Sequence, residues 1–236
     1  MLSDRTFAQQ ALPYFAPYVL YVALSSLLPA AWNPAWGQAA KCCAVSLALV
    51  YFRRSYRPGR LHVRHAWAAA ALTPAALLLW VAPVYALRAA GMGGGMTGGA
   101  APGTAAYFTL RLINSVVLVA LFEELLMRVF LLEWTRQADA SRRPGRTLFD
   151  ALLWAWDARP GQQPERPLGA VSVLLTTLFF AAGHAPVEYP SAILYFLLTT
   201  WLYAKTGSLW ACILVHALTN FAIAGLVRYA GLSFLW

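Results

Sequence analysis

Charged residues are scarce in this sequence. Only 11% of its 236 residues are Asp, Glu, Lys or Arg, whereas 60% are hydrophobic. An ordinary soluble domain carries about 25% charged residues, so this composition excludes a typical soluble protein. Most of the surface is expected to face lipid.

Acidic residues are rarer still, nine against eighteen basic ones, which gives a net charge of +9. Eleven of the basic residues fall in two loops between apolar runs: Arg53, Arg54, Arg57, Arg60 and Arg64 in the first, and Arg136, Arg142, Arg143, Arg146, Arg159 and Arg166 in the second. They do not form a basic stripe interleaved with aromatic side chains, so a nucleic-acid partner is not expected. Loops rich in Lys and Arg stay on the cytoplasmic side of a membrane, and both loops are predicted to lie there.

Cysteine residues and metal-binding motifs are also few. Cys42, Cys43 and Cys212 all lie inside apolar runs, and an adjacent pair with one distant thiol forms neither a disulfide framework nor a metal motif. The HExxH motif and the inverted repeats of many transporters are both missing from the sequence. These absences argue against a disulfide-stapled protein, a zincin peptidase and a typical secondary carrier.

Apolar runs of the length that crosses a bilayer, about 20 residues, occur throughout the chain. They predict seven helical spans, near 13–31, 39–52, 66–88, 105–134, 168–186, 189–204 and 208–235. The two Arg-rich loops are an even number of spans apart, so one topology satisfies both, with the N-terminus in the cytoplasm. The predicted fold class is therefore all-α, a polytopic transmembrane helical bundle in which residues 1–236 form a single membrane domain.

The second Arg-rich loop, residues 135–167, is an insert between the fourth and fifth spans. Its segment LFDALLWAW, residues 148–156, is apolar and aromatic between Arg-rich flanks, which is typical of a helix lying at a membrane surface. The Gly-rich segment 91–103 is expected to be a flexible connection on the opposite side.

A few ionisable or strongly polar side chains interrupt the predicted spans. Each costs about 2.5–3.5 kcal/mol on insertion scales, so each is a functional hypothesis. They are Glu123 and Glu124 in the fourth span, His184 at the end of the fifth, and His216 and Asn220 in the seventh. Spacings of four residues place three pairs on shared helix faces: Glu124 with Arg128, Phe180 with His184, and His216 with Asn220.

The rise of a helix gives the depth of these groups. Counted from the cytoplasmic ends of their spans, Glu123 lies roughly 18 Å deep, His184 roughly 24 Å and His216 about 12 Å. Glu123 and His184 are therefore expected at comparable levels, with His216 shallower.

The chemistry that such groups perform together is specific. A buried carboxylate beside an imidazole can hold and deprotonate a water molecule, which then attacks a carbonyl carbon. An imidazole and a carboxamide one helical turn apart can donate hydrogen bonds to the oxyanion that develops. Glu123, His184, His216 and Asn220 thus predict attack of water on an amide bond.

Three motifs in this order resemble those of the CAAX-protease and bacteriocin-processing family of glutamate-dependent intramembrane peptidases. They are EELLMR at Glu123 to Arg128, FAAGH at Phe180 to His184, and HALTN at His216 to Asn220. The resemblance covers residues 105–232, the predicted catalytic core. The sequence is also similar in general appearance to one branch of the family, which is related to CAAX prenyl proteases and is associated with exosortase systems.

The resemblance implies that Glu123 and His184 activate water and that His216 and Asn220 form the oxyanion hole. Glu124 and Arg128 are then required neighbours, and Phe180 completes its motif as a core residue. It also implies a conical helical bundle opening toward the cytoplasm, and glutamate chemistry without an obligatory metal. The insert at 135–167 is longer than the family's usual connection and is expected to alter substrate access.

Other interpretations of the same residues stay open. Glu123, His184 and His216, with Asn220 or water, could instead hold zinc, and Cys212 lies one turn before His216, where a thiol–imidazole pair is sterically conceivable. Arg128 could simply neutralise Glu124.

The function expected is cleavage of a membrane-anchored or lipidated protein within the bilayer of a bacterial inner membrane, with the catalytic face toward the cytoplasm and no cofactor. A non-catalytic binding or immunity-type protein and a proton-coupled carrier are the alternatives.

Overall fold

The computed structural model describes residues 5–28, 34–56, 59–94, 104–159 and 168–235. Within these ranges the longer elements are eight helices and no strand occurs, as the composition predicts. They are α1 (Phe7–Leu27), α2 (Pro34–Tyr51), α3 (Val63–Ala89), α4 (from Ala105–Ile113 without a break to Leu132–Ala140), α5 (Leu148–Asp157), α6 (Ala170–Ala182), α7 (Tyr189–Thr206) and α8 (Leu209–Tyr229).

Two of the described helices, α3 and α8, have the length and apolar composition needed to cross a membrane. Helix α6 is apolar but shorter. The other predicted spans and the cytoplasmic N-terminus stay predictions. Each predicted span nevertheless corresponds to a helix in the structure, with ends that differ by several residues.

Helix α8 packs against α3, α4 and α7. Helix α1 packs on α2 and on the middle of α4, where Phe130 contacts the rings of Phe7, Tyr14 and Phe15 at centroid distances of 5.4–5.7 Å. Burial of such aromatic rings is the largest apolar contribution available to a helical core. The middle of α4 is thus fixed from both sides.

The insert differs from the loop predicted at residues 135–167. Helix α4 continues to Ala140, so the first residues of the predicted loop are helical. The reason is tertiary: Trp134 donates from its indole N–H to the carbonyl of Leu152 at 3.2 Å and stacks edge-on against Trp156. Residues 160–167 of the insert and 95–103 of the predicted Gly-rich connection lie outside the described residues.

Helix α5 forms where the apolar run predicted a helix, and its position at a membrane surface stays a prediction. Its N-terminus is capped by Thr147, which exchanges hydrogen bonds with Asp150. The Thr147 hydroxyl and backbone N–H that donate to Asp150 lower the pKa of that carboxyl. Phe149 and Leu153 remain exposed on the outer side of this helix.

Two glycines shape the connections next to the polar residues. Gly207 ends α7 with φ +60°, a left-handed conformation that lets α8 begin at Leu209. Gly183 lies against Tyr18 of α1, whose hydroxyl would be 2.8 Å from a Cβ atom at that position. A side chain there would displace the Tyr18 hydroxyl next to the end of α6, where His184 lies.

Candidate active site

A cavity of about 80 Å³ lies among α3, α4, α6, α7 and α8. Its lining residues are Trp80, Val119, Glu123, Phe180, His184, Tyr195, His216, Thr219 and Asn220. The four residues predicted to carry the chemistry therefore share one cavity, with Phe180 beside them. Glu124 and Arg128 lie directly behind it, in contact with His216 and α7.

The counted depths put His216 shallower than Glu123, and their side chains nevertheless approach to 3.9 Å between Nε2 and Oε2. Side chains of this length can meet from backbones that are offset along the helix axis, so the difference in depth stays a prediction. Helix α4 continues past Thr135 to Ala140 with a polar end, which carries ion pairs of Glu133 with Arg136 and of Asp139 with Arg142.

The two glutamates lie between two π-helical segments of α4, Asn114–Val119 and Leu125–Leu131. A π-helical turn inserts a residue and rotates the side chains that follow it, and such turns are frequent at functional sites. Between them, Ala120–Glu124 is α-helical. Adjacent Glu123 and Glu124 point to different surroundings: the Glu123 side chain is 14% exposed and lines the cavity, while Glu124 is 1% exposed.

Glu124 and Arg128 form a fully buried ion pair, with 3.0 Å between Arg128 Nε and Glu124 Oε2. The guanidinium also donates to the hydroxyls of Thr199 and Thr200 on α7 and lies 3.9 Å from the ring centroid of Phe196. Each of its three nitrogens thus has a hydrogen-bond acceptor. A buried charge is tolerated only when it is paired and hydrogen-bonded in this way.

His216 is oriented by Glu124. Its Nδ1 lies 3.1 Å from Glu124 Oε1, and because Glu124 is paired with a cation its carboxylate can only accept, so Nδ1 carries the proton. The opposite nitrogen, Nε2, faces Glu123 at 3.9 Å across the cavity. The ring therefore stands between a sealed carboxylate and an accessible one.

His184 is oriented by a neutral group. Its Nδ1 lies 2.8 Å from the carbonyl oxygen of Phe180, and a carbonyl can only accept, so this Nδ1 also carries a proton. Its ring packs against Phe180 and Trp80, with centroids 4.7 and 5.2 Å apart. The unprotonated Nε2 of a neutral imidazole is then available on the other side of the ring.

Asn220 follows His216 by one turn of α8 and is fixed by α4. Its Nδ2 donates to the carbonyl of Ser115 at 2.8 Å, in the first π-helical segment. A carboxamide nitrogen has two hydrogens, so one N–H of Asn220 remains for other acceptors.

Four further side chains line the cavity and were not predicted from the sequence: Tyr195, Trp80, Thr219 and Val119. All four are neutral at pH 7, whereas the predicted set was chosen for ionisable or strongly polar groups in apolar runs. A signal existed on α7, because Tyr195 and Thr199 are polar, four residues apart and inside an apolar run.

Cys212 does not pair with His216. Its buried thiol lies 3.7 Å from the carbonyl of Thr199, on the side of α7. Among the described residues no three His, Cys, Asp or Glu side chains are grouped to hold a metal ion. The zinc alternative therefore depends on a solution measurement.

Comparison with protein families gives one match. Residues 105–222, half of the chain, match a family model described as type II CAAX prenyl endopeptidase Rce1-like. No curated protein and no solved structure matches the chain. The matched region contains all three motifs and helices α4 to α7 with most of α8.

Proposed function

The chain belongs to the Rce1-like family of type II CAAX prenyl endopeptidases, and from that premise we propose that it cleaves peptide bonds with water activated by Glu123 and His184. Membership makes the chain a membrane peptidase. The observation that carries the proposed mechanism is the cavity in which the Glu123 carboxylate meets two imidazoles held by different partners. His184 is held by the neutral carbonyl of Phe180, whereas His216 is held by the charged carboxylate of Glu124. This difference assigns different roles to the two histidines.

His184 is suited to accept a proton. Its Nδ1–H is bound to the carbonyl oxygen of Phe180, which leaves the lone pair of Nε2 as the acceptor of the ring. Its Nε2 and the Glu123 carboxylate are both acceptors that line the cavity, and a water molecule between them can donate to both. Such a water is aligned for attack, and its first proton passes to one of the two acceptors.

His216 is suited to donate. A carboxylate contacts its Nδ1–H and a second carboxylate lies near its Nε2, and both favour the imidazolium, whose Nε2–H is a donor. The remaining N–H of Asn220, one turn further on α8, is the second donor. Donors fixed before the reaction stabilise a developing oxyanion without reorganisation.

The water oxygen bonds to the scissile carbonyl carbon, and the carbonyl electron pair moves to oxygen, where His216 and Asn220 donate to it. When that pair returns, the carbon–nitrogen bond breaks, and the proton taken by Glu123 or His184 is delivered to the leaving amine. The products are a carboxylic acid and an amine, and transfer of the acid's proton to the amine leaves a carboxylate and an ammonium group.

We propose as substrate a membrane-anchored protein that carries a lipid near its C-terminus, as the family's description suggests. The site opens toward the cytoplasm of a bacterial inner membrane in this proposal. The cavity of about 80 Å³ has room for water beside the Glu123 carboxylate and His184.

Purified protein in detergent is expected to release the residues that follow the lipidated cysteine of a prenylated C-terminal peptide. An unmodified peptide of the same sequence is the control for lipid recognition. A chelator is expected to leave the rate unchanged, because the proposed water is activated by Glu123 and His184. If the chelator abolishes cleavage and added zinc restores it, the peptidase is zinc-dependent. If no peptide is cleaved, the result favours a non-catalytic binding protein.

Asn220→Ala is expected to lower kcat about 10²-fold with little change in KM, because this N–H acts on the oxyanion and not on the bound substrate. Steady-state kinetics on the prenylated peptide measures both constants. The melting temperature is recorded in parallel, since the change also removes a hydrogen bond to Ser115. An unchanged kcat would remove Asn220 from the mechanism.

A further inference from the structure

An open groove of about 580 Å³ lies between α1 and α2. It is lined by Leu20 of α1, by a face of α2 within residues 44–51, and by Arg53 at one end. It shares no lining residue with the cavity around Glu123. Apart from Arg53, the lining side chains are aliphatic or aromatic, and Leu47 is 70% exposed. A groove of this composition fits an apolar ligand with a charged group at one end.

The length of the groove corresponds to one leaflet of a bilayer. From Ala44 to Arg53 it follows α2 for roughly 13 Å, at a helical rise of about 1.5 Å per residue. One leaflet contributes about 15 Å to a hydrocarbon core that is about 30 Å thick. Because α1 and α2 are predicted spans, the acyl chain of a single phospholipid is the apolar ligand that matches the groove in length and in surroundings.

Aromatic side chains lie at the end of the bundle where the groove meets Arg53. Tyr51 ends α2, Trp67 lies in the first turns of α3, and Trp210 begins α8. The indole N–H of Trp210 donates to the carbonyl of Gly59 at 3.1 Å, which joins α8 to the loop that carries Arg53. Trp and Tyr are enriched where a membrane meets water. This end of the groove is therefore expected at the level of the lipid headgroups.

The backbone at Arg53 is fixed in position. Arg53 begins a short 3-10 turn, Arg53–Ser55. Two tyrosine hydroxyls tie this turn to α1, with Tyr14 donating to the carbonyl of Ser55 at 3.3 Å and Tyr56 to the carbonyl of Pro13 at 2.6 Å. The Arg53 guanidinium donates to the carbonyl of Val50 at 3.1 Å, and no other described residue accepts from it. Its remaining N–H groups can therefore donate to a bound ligand.

The positive charge around Arg53 is not balanced by nearby carboxylates. No Asp or Glu occurs within residues 5–122. Arg54, Arg60 and Arg64 of the same loop are exposed, and none of the four arginines forms an ion pair with a described residue. Arginine binds phosphate through charge-assisted hydrogen bonds. An anionic headgroup is complementary to this loop, whereas the ammonium group of a zwitterionic lipid meets charge of its own sign.

We propose that the groove between α1 and α2 is a binding site for one anionic phospholipid, with an acyl chain along α2 and its phosphate at Arg53. The inference goes beyond the proposed function and does not depend on it, because the groove is separate from the cavity and lipid binding requires no cleavage. The bound lipid fills the space between the two helices and neutralises part of the charge of the loop.

Native mass spectrometry of the full-length protein, purified in detergent and freed of lipid, tests the headgroup. Phosphatidylglycerol is titrated against phosphatidylcholine with the same acyl chains. We expect one phosphatidylglycerol per chain, bound at least about fivefold more tightly than phosphatidylcholine. Arg53→Gln is expected to weaken phosphatidylglycerol binding about fivefold, the contribution of one arginine near an anionic headgroup. The matched control Arg60→Gln removes the same charge from the same loop outside the groove lining and should bind nearly as the wild type does.

A second pair of variants tests the acyl chain. Ala44→Trp fills the groove and is expected to lower phosphatidylglycerol binding about tenfold or more, because several buried CH₂ groups lose their contacts. Ala70→Trp places the same ring on an exposed position of α3 outside the groove and should bind as the wild type does. Melting temperatures show that the variants are folded. Equal binding of the two lipids, equal losses in Arg53→Gln and Arg60→Gln, or wild-type binding by a folded Ala44→Trp would each overturn the inference.

Discussion

Replacement of Glu123 by Gln is expected to reduce cleavage by about 10²–10⁴-fold, the range that a positioned general base contributes. The amide has nearly the same shape and still fits the cavity, but it cannot accept the proton of the attacking water. His184 alone then faces that water, without the carboxylate that draws the second hydrogen. The effect is expected in kcat, because the peptide itself is bound by the same surfaces.

Binding and stability separate this result from a loss of fold. Glu123→Gln should bind the prenylated peptide with the wild-type affinity and should melt at or above the wild-type temperature, because it removes a charge from a largely buried position. Glu133→Gln is the matched control on the same helix, where the glutamate forms a partly exposed ion pair with Arg136. Such pairs contribute about 0–1 kcal/mol, so this control should retain activity and stability. Wild-type cleavage by Glu123→Gln would rule out Glu123 as the base.

The residues that meet in the cavity could be predicted because membrane sequences contain few ionisable groups. Glu123, His184 and His216 are conspicuous in apolar runs, and the cost of burying each one makes a shared purpose the economical explanation. Four-residue spacings also predicted the ion pair of Glu124 with Arg128, which the structure contains. A pattern of this kind depends on single helices, where spacing alone determines which side chains are neighbours.

Properties that depend on contacts between several helices could not be predicted from the sequence in this way. The close approach of His216 to Glu123 did not follow from the counted depths, because spacing along a helix does not give the relative height of its neighbours. The end of α4 at Ala140 depends on contacts of Trp134 with α5, which lies ten or more residues away in sequence. Neutral partners such as Tyr195 and the threonines around Arg128 carry no insertion cost large enough to distinguish them from the apolar residues around them.

The π-helical segments on either side of the glutamates could not be predicted from the sequence either. Neither Asn114–Val119 nor Leu125–Leu131 contains a proline or a glycine that would predict an irregular turn. The first segment does contain Asn114, which is fully buried and donates to Gln38 of α2 at 2.9 Å. The carbonyl of Ser115 in the same segment accepts from Asn220 of α8, so tertiary hydrogen bonds reach this wide turn from both α2 and α8.

Arg128→Met is expected to destabilise the protein by about 3–5 kcal/mol, the usual cost of removing one partner from a buried ion pair. The methionine fills most of the space, and Thr199 and Thr200 keep their own hydrogen bonds to the carbonyls of Tyr195 and Phe196. The cost therefore falls almost entirely on Glu124, whose buried carboxylate loses its cation. Unfolding in detergent, followed by heat or denaturant, measures the change, and cleavage is expected to be lost along with it.

The double variant Glu124→Gln with Arg128→Met isolates the cause, because it removes the unpaired charge and leaves an amide oxygen that still accepts from His216 Nδ1. Most of the lost stability should return, since replacing both partners of a buried pair is often neutral. Activity should stay low even so, because without the carboxylate His216 is no longer held as the imidazolium that donates to the oxyanion. Stability that stays low in the double variant would mean that Arg128 acts through its contacts with α7 and Phe196, and full recovery of cleavage would mean that the charge of Glu124 has no part in the reaction.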